Sequence, residues 1–345
     1  MDLVAGRAIS VPMNQTYLAI ISGLRRGLIA SLARVLLSVL SVPYALVVKL
    51  RNILYDHGIL RSHRAGVPTI CVGNISCGGT GKTPMVIALV RMLQAAGRRP
   101  AILTRGYKGS DEIPADEVLI FAGALPDIPV IVGGDRVASA KRALRDHDLD
   151  ILVMDDGFGH RRLARDLDIV LLVEPLDRVR LLPRALYREP PSSLARADII
   201  IKTYDPLDDD SNYALRQPAG LLGLDGPLEL SELQNRKVLA FCGIGNPASF
   251  EQTLANAGAK VLGKKHYPDH YDYRQVDLDE LAEYVSRAAC SLAVTTMKDW
   301  VKIQHHKLSW PEECDCQLCA LDIEMTFDER TRHVLTRELA ALFDD

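Results

Sequence analysis

The run Gly73-Asn74-Ile75-Ser76-Cys77-Gly78-Gly79-Thr80-Gly81-Lys82-Thr83-Pro84 sets glycines, a lysine and a hydroxyl at a spacing that suits a nucleoside triphosphate. Its glycines let backbone N–H groups turn towards phosphate oxygens. Lys82 is then placed to reach the β- and γ-phosphates, and the Thr83 hydroxyl to bind Mg²⁺. A following helix would add the partial positive charge of its N-terminus. Pro84 suits a first helical turn, where a missing N–H costs nothing. Ser76, Gly78, Gly79, Thr80, Gly81, Lys82 and Thr83 are the expected phosphate-binding residues. One position departs from the G-x-x-x-x-G-K-[ST] pattern: Ser76 stands where glycine is usual.

Such a site needs a carboxylate on a neighbouring strand to organise Mg²⁺. Asp150-Ile151-Leu152-Val153-Met154-Asp155-Asp156-Gly157 reads as an apolar strand delivering Asp155 and Asp156 at its C-terminal end. Adjacent aspartates repel unless a cation offsets them, so both join Thr83 as expected metal groups. Two further stretches carry chemistry-bearing residues. Asp116 lies in an acidic run with Asp111 and Glu112 that reads as a loop, solvated or functional. His266-Tyr267-Pro268-Asp269-His270-Tyr271-Asp272-Tyr273 is an aromatic, histidine-rich loop in which His266 and His270 compete for any role. Cys314-x-Cys316-x-x-Cys319, with His305 and His306 upstream, fits no closed four-ligand zinc pattern, and Cys319 reads as a strand residue.

The elements that must position these groups alternate. Val67–Val72 reads as a strand. Met85 to Ala96 has helical apolar spacing through Met85, Ile87, Ala88, Leu89, Met92 and Leu93. Strands over 99–104, 128–132, 168–173 and 197–202 and a helix over 137–145 continue the series. This predicts an α/β fold of the P-loop NTPase type, a parallel sheet with helices on both faces. Residues 207–227 are rich in Asp, Pro and Gly and read as the start of a linker. A second αβ series follows, with strands near 238–241, 259–262, 292–295 and 318–323 and helices near 248–257, 278–288, 300–307 and 328–343. The expected division is an N-terminal helical segment (1–65), a P-loop core (66–206), a linker (207–236) and a smaller α/β lobe (237–345). The site is expected in the cleft between the lobes.

The chain has 345 residues, 48% hydrophobic and 25% charged, which excludes disordered, collagen-like and coiled-coil chains. A net charge of −3 excludes a generic nucleic-acid binder. The charge is uneven, however: residues 1–65 hold eight Lys/Arg against two Asp/Glu, and the rest 33 against 42. A basic end on an acidic body calls for an anionic surface. Gly27–Val48 is apolar but interrupted by Arg34 and Pro43. Its uncharged part, Val35–Val48, has 14 residues, short of the ~20 a spanning helix needs. It is expected to lie in a bilayer interface as a membrane-associating helix, with basic residues reaching lipid head groups. Seven cysteines in a long chain without a secretory signal imply a reducing cytoplasmic compartment.

In order along the chain, further pieces accompany the glycine-rich run: Arg105-Gly106-Tyr107; Asp116-Glu117; Asp155-Asp156-Gly157-Phe158 with His160; Leu181-Leu182-Pro183 with Arg188-Glu189; Gly243-Ile244-Gly245-Asn246-Pro247 with Phe250; Pro268-Asp269-His270; and Thr296 with Lys298-Asp299 and Lys302. As a set they resemble the tetraacyldisaccharide 4'-kinase family, the lipid A 4'-kinases, of which this chain looks like a divergent member. The resemblance implies a P-loop kinase using ATP and Mg²⁺ at the cytoplasmic face of a bacterial inner membrane. The acceptor would be the 4'-hydroxyl of an acylated glucosamine disaccharide 1-phosphate, giving lipid IVA, with no obligate protein partner. It also implies that Asp116 and His270 form a catalytic pair, that Glu117 supports the metal and that Arg188 neutralises phosphate charge. The family's Ser/Thr at the first loop position accounts for Ser76. Departures fall at Ala115 and Val118 around Asp116-Glu117, at Gly159, at Arg184-Ala185-Leu186-Tyr187 and at Met297. Two other readings are a P-loop switch that hydrolyses nucleotide to gate a partner and an inactive homologue at a membrane surface. The guanine-reading N-K-x-D motif of a GTPase switch is not found in the sequence.

Overall fold

In a computed structural model of the chain, the described residues are 13–77, 80–106, 114–173, 176, 179–203 and 211–344. They divide into two compact units.

The first unit comprises the described residues of Met1–Arg61, Ile75–Gly78 and Pro175–Arg196. It opens with α1 (Met13–Ile21) and α2 (Leu28–Asp56). The interruptions expected at Arg34 and Pro43 do not occur, because α2 runs through both for 29 residues. Proline removes one backbone hydrogen bond, at a cost of roughly 3 kcal/mol, and a long helix absorbs that loss. The Arg34 guanidinium folds back to donate to the carbonyls of Ile20 (3.3 Å) and Arg25 (3.0 Å) and to the Ser31 hydroxyl (3.0 Å). Its charge thus satisfies carbonyls where α1 ends. Leu32, Val35, Leu36, Val39, Val42, Leu46, Val47 and Leu50 stay exposed along α2. The helix is long and apolar enough to cross a membrane, by length and composition. Within this unit the Tyr44 hydroxyl donates to the Arg188 carbonyl (3.0 Å). Buried Glu189 accepts from Asn52 (2.9 Å) and Ser193 (2.8 Å) and pairs with Arg51.

The second unit comprises Ser62–Asn74 and the described residues of Gly79–Glu174 and Ala197–Asp345. It starts with β1 (Thr69–Gly73), α3 (Lys82–Ala95), β2 (Pro100–Thr104), α4 (Asp116–Ala124), β3 (Val130–Val132), α5 (Arg136–Asp146), β4 (Ile151–Asp155), β5 (Leu167–Leu172) and β6 (Ile199–Lys202). The six strands form one parallel sheet in the order β3-β2-β4-β1-β5-β6. β1, β2, β4 and β5 are buried at every position, as helix-covered parallel strands are. Val72 pairs with Asp155, so the glycine-rich run leaves β1 beside the carboxylates that end β4.

The chain continues through β7 (Ala214–Gly223), β8 (Gly226–Leu228), β9 (Lys237–Cys242), α6 (Pro247–Asn256), β10 (Lys260–His266), α7 (Gln275–Ala288), β11 (Leu292–Thr296), α8 (Met297–His305), β12 (Gln317–Phe327) and α9 (Glu329–Ala341). The second sheet runs β10-β9-β11-β12-β7-β8, with β7 and β8 antiparallel. The stretch read as a linker, 207–236, therefore carries two strands among its described residues. Its Pro and Gly misled because β7 skips one residue against β12 between Asp322 and Ile323, a bulge that accommodates Pro218 and Gly220. The expected boundary at 237 is crossed a second time. Leu335 and Leu339 of α9 and Met325 of β12 belong to the core that lies under the first sheet with Val86, Leu89 and Leu93 of α3.

Candidate functional site

Gly81, with φ of 87°, caps α3 in the left-handed conformation that glycine adopts freely. It is also closely covered: a β-carbon there would lie 3.1 Å from Met325 Cε and 3.3 Å from Arg216 Cδ. At the end of β1, a β-carbon on Gly73 would meet Phe158 Cβ at 2.5 Å, so only glycine allows the 155–158 turn to close over the strand. The Thr80 hydroxyl accepts from Asn74 Nδ2 (3.0 Å) and Lys82 Nζ (3.4 Å), and Lys82 Nζ stands 3.7 Å from Asp156. Thr83 lies in the first turn of α3. Gly78 and Gly79 are outside the described residues, as are Tyr107, Asp111 and Glu112. Ser76 and Arg188 belong to the first unit. There Ser76 bridges to Tyr187, and the Arg188 N–H donates to the Ile75 carbonyl (2.7 Å).

Asp155 is buried. Its Oδ2 accepts from Thr104 Oγ1 (3.3 Å), while its Oδ1 is shut from solvent and has no hydrogen-bond partner. Burial pushes its carboxyl up to about 6, with Lys82 opposing and the charges of Asp156 and Glu117 adding to the rise. A divalent ion suits this orphaned oxygen. Among the described residues no group of three or more His, Cys, Asp or Glu side chains could hold a metal ion. Away from this site, burial pushes the Cys316 and Cys319 thiols up to about 12. Arg136, which the sequence did not single out, is buried and donates to the Asp155 carbonyl (3.2 Å), tying α5 to the end of β4.

Asp116 is not in a loop. With Glu117 it forms the first turn of α4, where the helix dipole favours carboxylates. Its Oδ2 lies 2.8 Å from His270 Nδ1. His270 follows β10 in a left-handed conformation (φ 62°), and its N–H donates to the Gly243 carbonyl (3.0 Å). The pair therefore joins an element of the first sheet to a loop of the second, within one unit. Burial would raise Asp116, but the His270 hydrogen bond and the Lys302 ammonium hold its carboxyl below the usual range. His266 is taken up elsewhere, paired with Glu251 at 2.5 Å. The charge of Glu117, the next residue in the first turn of α4, contributes to the rise at Asp155. Lys302 of α8, known from the sequence only as part of a family pattern, is buried against Asp116 Oδ2 (3.4 Å), the Tyr271 carbonyl (3.1 Å) and Asp299 Oδ1 (3.7 Å).

The family described as Tetraacyldisaccharide-1-P 4'-kinase has a model that matches residues 33–340. The tetraacyldisaccharide 4'-kinase of Syntrophus aciditrophicus is 38% identical over 336 residues, covering 84% of this chain and 88% of its own. That of Halothermothrix orenii is 31% identical over 342 residues, covering 84% and 88%. Among solved structures, the "apo" form of LpxK from Aquifex aeolicus in complex with ATP has a TM-score of 0.74 and 29% identity. The match covers 90% of this chain and 100% of that one.

Proposed function

The chain belongs to the tetraacyldisaccharide 4'-kinase family, and from that membership we propose how its residues divide the reaction. It is an ATP-dependent kinase that moves the γ-phosphate to the 4'-hydroxyl of a tetraacylated glucosamine disaccharide 1-phosphate, giving lipid IVA. The glycine-rich run from Ser76 through Gly78, Gly79 and Thr80 to Gly81 cradles the phosphates, and Lys82 neutralises their charge. Thr83, Asp155 and Asp156, with Glu117 beside them, would hold Mg²⁺, which would supply charge neutralisation on the transferring group. Asp116 and His270 together take the proton of the 4'-hydroxyl. As that proton leaves, the oxygen–phosphorus bond forms and the bond to the departing ADP breaks. Arg188 is assigned to phosphate charge on its place in the family pattern. One observation carries this division: the 2.8 Å Asp116–His270 pair, in the same unit as the buried Asp155 carboxylate and Lys82.

The substrate carries both acyl chains and a phosphate, so the enzyme must meet it at a bilayer. We assign that contact to residues up to about Arg64, at the cytoplasmic face of the bacterial inner membrane. The exposed apolar side chains of α2 and the basic excess of this segment support the assignment. No observation favours a nucleotide switch. Thr296-Met297-Lys298-Asp299, its nearest approach to a guanine-reading motif, is a helix start in which Asp299 is wholly buried and accepts from the Gly243 N–H (3.1 Å).

The test is incubation of purified protein with γ-labelled ATP and the disaccharide 1-phosphate. Label should enter the lipid, and Lys82→Ala should abolish transfer with the fold intact. Hydrolysis of ATP without transfer to lipid would overturn the assignment.

A further inference from the structure

Among the described residues, the side-chain partners of Asp116 meet it through one oxygen. His270 Nδ1 (2.8 Å) and Lys302 Nζ (3.4 Å) both lie on Oδ2, and Oδ1 has no partner among the described residues. The two donors come from different elements, the loop after β10 and helix α8. Lys302 also holds that loop directly, because its ammonium donates to the carbonyl of Tyr271, the residue after His270. It is anchored from behind by Asp299, which is fixed in turn by Thr296 Oγ1 (2.7 Å) and the Gly243 N–H (3.1 Å). Gly243 completes the ring, since its carbonyl accepts from the His270 N–H. One buried ammonium thus touches the carboxylate, the backbone beside the imidazole and the aspartate that orders the next loop.

We propose that Lys302 is a positioning residue for the phosphoryl transfer: by occupying Asp116 Oδ2 together with His270 and clamping the Tyr271 carbonyl, it turns Asp116 Oδ1 towards the acceptor hydroxyl and fixes the imidazole beside it. This rests on the reading of Asp116 and His270 as the proton-accepting pair. A loose lysine would be a poor positioner, but this one is buried, and its ammonium donates to the Tyr271 carbonyl while facing the carboxylates of Asp116 and Asp299. A displacement of about 1 Å at a reacting group costs up to ~10²-fold in rate, so the clamp matters to kcat even though it touches neither substrate.

The experiment compares Lys302→Met, which keeps length and removes charge, with Lys302→Arg, each alone and combined with Asp116→Asn. Lys302→Met should lower kcat by ~10²-fold and leave KM for ATP within about twofold. Lys302→Arg, which retains a donor cation, should recover at least about tenfold of that loss. In the Asp116→Asn background, Lys302→Met should cost almost nothing more, because the clamp then holds a group that no longer accepts the proton. A kcat loss in Lys302→Met that multiplies fully onto that of Asp116→Asn, or no kcat loss at all, would overturn the proposal. If Lys302→Met fails to fold, Lys302→Arg carries the test. It should lose at least about threefold in kcat alone and nothing further beside Asp116→Asn, and equal losses in both backgrounds would overturn the proposal. If Asp116→Asn alone leaves kcat intact, the failure lies in the proton-accepting pair and not in Lys302.

Discussion

Replacing Asp155 by asparagine should make the metal-free protein more stable while ending its activity. The magnitude comes from the burial of that carboxyl, which is raised from 3.8 to about 6. A rise of ~2 units corresponds to ~3 kcal/mol, at ~1.4 kcal/mol per unit. The folded protein binds this proton more tightly than the unfolded chain does. Stability therefore falls as pH rises from about 4 to about 6, and the penalty is complete above about 6. Asparagine has nearly the same shape, retains an oxygen to accept from Thr104 and carries no charge to desolvate. At pH 8 the Asp155→Asn protein should be ~3 kcal/mol more stable without Mg²⁺, or on the order of 6 °C in Tm at ~2 °C per kcal/mol for a large chain. That advantage should fade between about pH 6 and about pH 4. Adding Mg²⁺ and ATP should stabilise the wild type far more than the variant. Both tryptophans, Trp300 and Trp310, lie in the core of the second sheet. Calorimetry, or amide exchange along β4, is accordingly the better readout. A variant less stable than wild type at pH 8, or a gain that ignores pH, would refute the reasoning.

Two other outcomes are expected. Asp116→Ala and His270→Ala should each lower kcat far more than they raise KM for ATP, and the double variant should be little worse than the worse single one, as checked by steady-state kinetics; independent, multiplicative losses would separate the pair. In vesicle flotation, binding to anionic bilayers should weaken as salt rises, at ~1 kcal/mol per Lys/Arg near the surface and with screening over ~10 Å at 0.1 M. A salt-resistant remainder should come from the apolar side chains of α2, and indifference to vesicles at low salt would remove the membrane role.

Much of the first sheet was legible because buried parallel strands read as short apolar runs. The expected strands at 67–72, 99–104 and 168–173 all overlap observed ones. Local chemistry marked Lys82, Thr83, Asp155 and Asp156 for the same reason: their spacing is set by one strand, one turn and one helix. What escaped was tertiary. Asp116 read as a loop acid because the start of α4 has no side-chain cap at Ala115 to announce it. β7 and β8 were hidden by the proline and glycines that their bulge and turn require. The continuity of α2 was masked by Pro43, which breaks helices in water far more often than in apolar settings. Lys302 could not be found locally, because its role depends on three partners brought together by the fold.

The shared core under the first sheet has a consequence in time. Ribosomes deliver the glycine-rich run, Asp155 and Asp156 well before Met325, Leu335 and Leu339, which complete the core against α3. Arg98, just after α3, also stacks on the Phe343 ring at 3.6 Å, almost at the last residue. Closing the nucleotide-binding sheet therefore requires contacts spanning about 250 residues of sequence, the kind that slows folding and leaves partly built sheets exposed. A nascent or prematurely terminated chain holds every phosphate-binding residue but not the apolar backing that keeps α3 in place. A chain cut before β12 is therefore expected to lose the packing that holds α3, and nucleotide binding with it.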